Sequence, residues 1–250
     1  MKIAICLSGA IRYPHIGLKS IENIFPNDEV KIFIHTWKIS NKEEFLKTVF
    51  GLEFKEYDNM IETQFNFLDK YNYEKLLIED YESKKCKFQE IYNSLNLLSF
   101  ESSEEGITPR YDVGPISMHY SINMANNLKS MYEKENNMTF DVVIRMRFDS
   151  DFENKKLNVD EYPNTLNIPK GEDWCGGIND QFAFGPSSVM NDYSNFYKNI
   201  TEIEGVPYHP ETMLLKYLDM KKININRCDF RVRINNNIDF RRIWYPNLYQ

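Results

Sequence analysis

Apolar residues occur along this chain in short runs between polar stretches, and the period of each run sets the element it predicts. Residues 2–8 (Lys2-Ile3-Ala4-Ile5-Cys6-Leu7-Ser8) read as a buried strand that enters a Ser8-Gly9-Ala10 turn. Residues 15–25 suit a short helix, weakened by Gly17 and ended by Pro26-Asn27-Asp28. The run Val30-Lys31-Ile32-Phe33-Ile34-His35-Thr36 predicts a second strand. Strand, helix and strand within about 35 residues is the spacing of a βαβ unit on a parallel sheet.

From about 41 to 108 polar and aromatic residues mix, with helices expected near 42–50 and 86–98, and the stretch reads as a helical insertion. Residues 116–124 alternate apolar and polar, which alone predicts a strand, but Gly114-Pro115 and the later spacing of Leu128, Met131 and Tyr132 favour a helix over 115–134. Phe140 to Phe152 begins as a buried strand and ends in acid. A short strand over 181–185, helices over 186–200 and 210–220, and strands at Ile223, Ile225 and 230–234 complete the pattern. The expected fold is α/β: one domain, 1–250, with a mostly parallel sheet flanked by helices and an insertion at about 41–108.

Composition narrows the function. Apolar residues at 42% and charged residues at 27% exclude wholesale disorder. No apolar run approaches the ~18 residues of a membrane span. The net charge of −7 without a long basic run argues against a nucleic-acid partner. Cys6, Cys86, Cys175 and Cys228 are widely spaced, which excludes a CxxC motif and points to a reducing, cytoplasmic setting. The apolar run after Lys2 is too short for a signal peptide.

Read with period two, Val142, Ile144, Met146 and Phe148 point one way, while Arg145, Arg147, Asp149 and Asp151 point the other. Extended backbone puts the Cα atoms of Asp149 and Asp151 roughly 6.5 Å apart, so both carboxylates can converge on a hard divalent cation such as Mg²⁺. Arginines on the same face suit a phosphorylated ligand, because guanidinium grips phosphate bidentately. A surface Arg–Asp ladder at a strand end explains the same residues. An EF-hand loop fails at Asn154 and Lys156. An aspartyl-nucleophile phosphatase also places DxD after an apolar strand, but Glu153 stands where such enzymes usually carry Thr or Val.

Lys2 to Arg12, Val30 to Trp37 (ending Phe33-Ile34-His35-Thr36-Trp37), Val143 to Asp149 and Asn179 to Gly185, followed by a helix with Met190 and Tyr193, together resemble a bacterial and viral group of GT-A glycosyltransferases. That group includes proteins linked to lipopolysaccharide synthesis. The resemblance spans residues 2–193, the insertion excepted. It implies a GT-A-like (Rossmann-like) fold, a nucleotide-sugar donor, a glycan or lipid-linked glycan acceptor, peripheral membrane association and Mn²⁺ or Mg²⁺. Carried over, Ser8, Gly9 and Arg12 line the nucleotide pocket, and Asp149 and Asp151 hold the metal; Arg145 and Arg147, on the same predicted face as Asp149, are expected on their own chemistry to meet the donor with it. A C-terminal histidine completes the metal shell in some GT-A enzymes, which makes His209 a candidate third ligand.

Other residues are assigned on their own chemistry. The Ser8-Gly9 turn offers backbone N–H groups to phosphate or base acceptors, and Ser8-Gly9-Ala10 is not GxGxxG, which disfavours a dinucleotide oxidoreductase. His35 ends the second strand and can approach the base, whereas His119 more naturally packs on its helix. Asp180 is the expected general base, with Glu211 a second candidate that a helix start explains as well. Trp174 can stack on an acceptor sugar; Trp37 and Trp244 read as structural. The competing functions are a metal-dependent phosphohydrolase and a non-catalytic carbohydrate-binding protein.

Overall fold

The computed structural model describes residues 1–25, 29–38, 66–97, 113–152 and 157–234. Strand β1 (Ile3–Ser8), helix α1 (Pro14–Ile24) and strand β2 (Val30–Lys38) form the expected βαβ unit. β1 and β2 run parallel, with Ile3 opposite Val30 and Ser8 opposite His35. All six β1 side chains are buried because both faces are covered. Ile3, Ile5 and Leu7 join one apolar cluster with Ile21 and Ile24 of α1, while Ala4 and Cys6 join a second.

The other elements are β3 (Lys75–Asp80), α2 (Tyr81–Ser94), α3 (Gly114–Glu135), β4 (Val142–Met146), β5 (Ser150–Phe152), β6 (Leu166–Pro169), β7 (Ala183–Gly185), α4 (Ser187–Ser194), α5 (Phe196–Asn199), α6 (Pro210–Met220), β8 (Ile225–Cys228) and β9 (Val232–Ile234). Seven strands form one sheet in the order β3-β2-β1-β4-β7-β6-β8, and β5 pairs with β9 in a separate two-stranded sheet. The sheet is mostly parallel: β1–β2, β1–β4, β2–β3 and β6–β8 are parallel, and β7 runs antiparallel to β4 and β6. Helices flank it, giving the expected mixed α/β architecture. Among the described residues no helix is long and apolar enough to cross a membrane, and all four cysteines are free thiols.

Four points of the sequence reading need correction. The described part of the stretch read as helical insertion, residues 66–97, contains β3, an edge strand of the main sheet, besides α2. The helix placed at 86–98 is α2 and starts at Tyr81, with the Asp80 carboxylate accepting from Glu82 N; the helix near 42–50 lies outside the described residues. β6 was not foreseen, because four residues ending in Pro169 carry too little periodicity. The helix over 186–200 is instead α4 and α5, broken at Asn195, with a 3₁₀ turn over Ile200–Glu202.

α3 explains the alternation that mimicked a strand. It is buried on several sides, so its polar residues face inward as often as its apolar ones. Asn123 donates to Ser194 O and Asn126 to Asn191 Oδ1. The Lys129 ammonium, wholly buried, donates to Glu133, Ser187 and Asn191. Three donors meeting three acceptors satisfy the charge where water is excluded. This network ties α3 to α4 across the sheet's second face.

Two buried histidines tie stability to pH. Burial lowers the His35 imidazole from 6.5 to about 4 and His119 from 6.5 to about 3, with Arg145 adding to the second shift. The unfolded chain binds protons below pH 6.5 that the native imidazoles refuse, so stability is intact above 6.5 and falls with pH below it. At pH 5 the loss is roughly 2 kcal/mol per histidine. Thermal melts should drop on the order of 10 °C between pH 7.5 and pH 5. A flat midpoint across that window would show that neither imidazole is held neutral.

Candidate functional site

The connections turn in opposite directions from β1. The chain leaves β1 for β2 on one side and, after β3 and α3, returns to β4 on the other. α1 packs on the Ile3-Ile5-Leu7 face, and α3 packs on the Ala4-Cys6 face. The carboxyl ends of β1 and β4 therefore flank a topological switch point, the usual ligand position in an open α/β sheet.

β1 ends at Ser8, whose buried Oγ has no hydrogen-bond partner among the described residues. Gly9 takes φ 107°, a conformation suited to glycine. Its N–H is already used: it donates to Ser121 Oγ at 2.7 Å and to His35 O at 3.3 Å. The expected phosphate cradle at Gly9 is therefore closed by α3. His35 also faces inward, with Nδ1 2.7 Å from Ser121 Oγ and Nε2 3.0 Å from Glu79 Oε2. An ionised Glu79 can only accept, which makes Nε2–H the donor and leaves Nδ1 to accept from Ser121. His35 is wholly buried, held between Ser121 and Glu79. Arg12 lies half-buried in the loop between Gly9 and α1.

β4 stops at Met146, and this changes the acidic motif. Ser150 N donates to Arg147 O at 3.3 Å, and Arg147 N donates to Ser150 Oγ at 3.1 Å, which closes a turn over 147–150. Asp149 and Asp151 therefore do not share a face of one extended strand. Asp149 sits in the turn, whereas Asp151 lies on β5 opposite Arg233 of β9. The arginines separate too. Arg145 is 2% exposed and points into the core, away from any solvent-borne phosphate. Arg147 keeps a quarter of its side chain exposed and grips Asp149 in a fork, Nε to Oδ1 and Nη2 to Oδ2, both at 2.8 Å.

Two distant segments bring further acids to this turn. Asp180 is buried in the approach to β7, and its charge acts on both Arg145 and Arg147. Glu211 opens α6 after Pro210, and its charge also acts on Arg147. Burial opposes the Arg147 charge, but Asp149, Asp180 and Glu211 outweigh it and raise the guanidinium above its ordinary value. Burial dominates at Arg145 and lowers it, with Tyr193 and Asp180 opposing. Glu211 Oε2 lies 2.7 Å from His209 Nδ1, outside hydrogen-bonding direction. His209 thus faces Glu211, and among the described residues no three His, Cys, Asp or Glu side chains group to hold a metal ion.

The segment 171–181 forms the outer rim. Arg227 Nη2 donates to both Asp173 oxygens and to Pro169 O, and Asp173 Oδ1 accepts from Asn179 N. Thr212 Oγ1 donates to Cys175 O, and Ile178 N donates to Glu211 O, so the rim is stitched to the start of α6. Trp174 is 52% exposed on this rim, with Nε1 donating to Glu172. Arg145, His119 and Tyr193 form a buried polar group behind the site that sequence reasoning did not assemble. Burial lifts the Tyr193 phenol to about 12, against the pull of Arg145. Their meeting comes from β4, α3 and α4 packing together, and no local motif announces it.

No family model matches the chain, and no curated protein matches it. Among solved structures it is similar to the apo crystal structure of mouse xyloside xylosyltransferase 1, at 8% identity and a TM-score of 0.40, covering 91% of this chain and 84% of that one. The narrower likeness to the surface-glycan group rests on the sequence blocks alone.

Proposed function

We propose that the described segments act as one glycosyltransferase domain that moves a sugar from a nucleotide-sugar donor to a glycan hydroxyl. The observation that carries this reading is the convergence of Arg147, Asp149, Asp180 and Glu211 from three distant segments beside the β1–β4 switch point, with an exposed tryptophan on the rim bonded to the start of α6. A guanidinium suits a diphosphate, carboxylates suit sugar hydroxyls, and an exposed indole gives a sugar ring an apolar face to lie on.

In the reaction the acceptor oxygen bonds to the anomeric carbon as the anomeric carbon–phosphate oxygen bond breaks. The nucleoside diphosphate leaves with the bonding pair, and the hydroxyl proton passes to a carboxylate. Asp180 is buried in the approach to β7, beside Arg145 and Arg147. Glu211 opens α6, and its backbone carbonyl accepts from Ile178 N of the rim that carries Trp174. We therefore assign the base to Glu211 and give Asp180 the orientation of sugar hydroxyls; Trp174 carries the acceptor. Mn²⁺ or Mg²⁺ does not fit Asp149 as it stands, because the carboxylate is 1% exposed and packed against the Arg147 guanidinium.

A thermal-shift panel of nucleoside diphosphates and nucleotide sugars tests the donor class. At about 100 times Kd a ligand adds roughly 2.7 kcal/mol, which for a chain of this size is about 5–10 °C. One nucleotide family should reach that range. No shift with any nucleotide, together with glycan binding, would replace the enzyme by a carbohydrate-binding protein.

A further inference from the structure

We infer that Asp149 is a positioning residue for Arg147, and that the Arg147 fork, in place of a divalent cation on Asp149, grips the donor's diphosphate. This rests on the nucleotide-sugar reading and adds how the anion is held. Arg147 has five N–H bonds. Two go to Asp149 at 2.8 Å, and a quarter of the side chain remains exposed at a residue that directly follows the carboxyl end of β4.

The fork is held from behind. Asp149 is buried, the turn is closed at both ends by Ser150, and Phe148 O accepts from Gly17 N at 3.0 Å. A Cβ at position 17 would lie 2.5 Å from Phe148 O, so α1 is seated directly on the turn. Asp149 is 1% exposed and both of its oxygens accept from Arg147, so the closed turn leaves a cation no open approach to that carboxylate. Asp180 and Glu211 add to the field that holds the guanidinium charged, although only Asp149 hydrogen-bonds to it among the described contacts. A guanidinium whose plane is fixed by one carboxylate presents its remaining N–H groups in a set direction, which suits bidentate capture of a second anion.

The test is calorimetric binding of UDP, GDP, CDP and ADP to the whole chain, each in excess EDTA and in Mn²⁺. The nucleotide that binds should do so in EDTA within about threefold of its affinity in Mn²⁺. Arg147→Met should weaken it about 10–100-fold in both buffers, the loss of charge-assisted hydrogen bonds. Arg147→Lys should recover part of that loss, and Asp149→Asn should weaken binding about equally in both buffers. Binding that requires Mn²⁺, or an Asp149→Asn defect confined to Mn²⁺, would overturn the inference and leave the donor reading standing. Wild-type affinity in Arg147→Met would overturn it as well. If no nucleotide binds in either buffer, the donor reading fails and takes the inference with it.

Discussion

Glu211→Gln is expected to lower sugar transfer about 10²–10⁴-fold, the usual contribution of a positioned general base. The amide keeps the side chain's size beside His209 but cannot take the acceptor proton. Loss of a carboxylate from the first turn of α6 costs only about 0.3–1 kcal/mol through the helix dipole, so the variant should fold. Nucleotide affinity should hold, since Arg147 and Asp149 are untouched. Steady-state transfer, nucleotide calorimetry and a thermal melt on one preparation separate these effects. Near-normal turnover in Glu211→Gln, with an inactive Asp180→Asn, would move the base to Asp180.

Gly177→Ala should damage the same site through the backbone. Gly177 has φ −92° and ψ −152°, a conformation open to alanine, so strain in the chain is not the issue. An added Cβ would sit 2.2 Å from Glu211 C and 2.3 Å from Thr212 N. Neither is the flexible end of a side chain, so the rim or the start of α6 must move. Overpacking of this kind costs about 1–3 kcal/mol, and displacement of a reacting group by about 1 Å costs about 10² in rate. The melt should fall by about 2–12 °C, with transfer falling much further than nucleotide affinity. Normal transfer in Gly177→Ala would show that the Gly177–Glu211 contact does not place the base.

How far each feature was legible depended on the range over which its cause acts. β1, α1 and β2 follow from local period and punctuation, and each was placed within two residues at most of its observed ends. The helix α3 was legible from Pro115 and its later spacing, against an alternation that came from polar residues buried on several faces. β3 and β6 were missed because an edge strand and a four-residue strand owe their state to neighbours.

The acidic segment shows the same division. Period two placed Val142, Ile144 and Met146 on one face correctly, and all three join the cluster that contains α1. Extending that period to Asp151 failed, because Ser150 closes a turn that ends β4 at Met146. Asp and Ser are common turn formers, the one local signal that favoured a break there. Arg145 and Arg147 looked equivalent in the sequence; one is buried behind α3 and the other forks Asp149.

Residue order alone thus established the fold class, the leading βαβ unit and the residue types available for chemistry. Those rest on periodicity and composition, which act over a few residues. Packing chose among the acids and arginines. It turned Asp149 onto Arg147, brought Glu211 against Gly177, and buried His35 between Ser121 and Glu79. Each of these except the Asp149–Arg147 fork joins residues more than thirty positions apart, and the fork itself depends on a turn seated against α1. Such contacts are fixed by how helices cover a sheet, which no local spacing encodes.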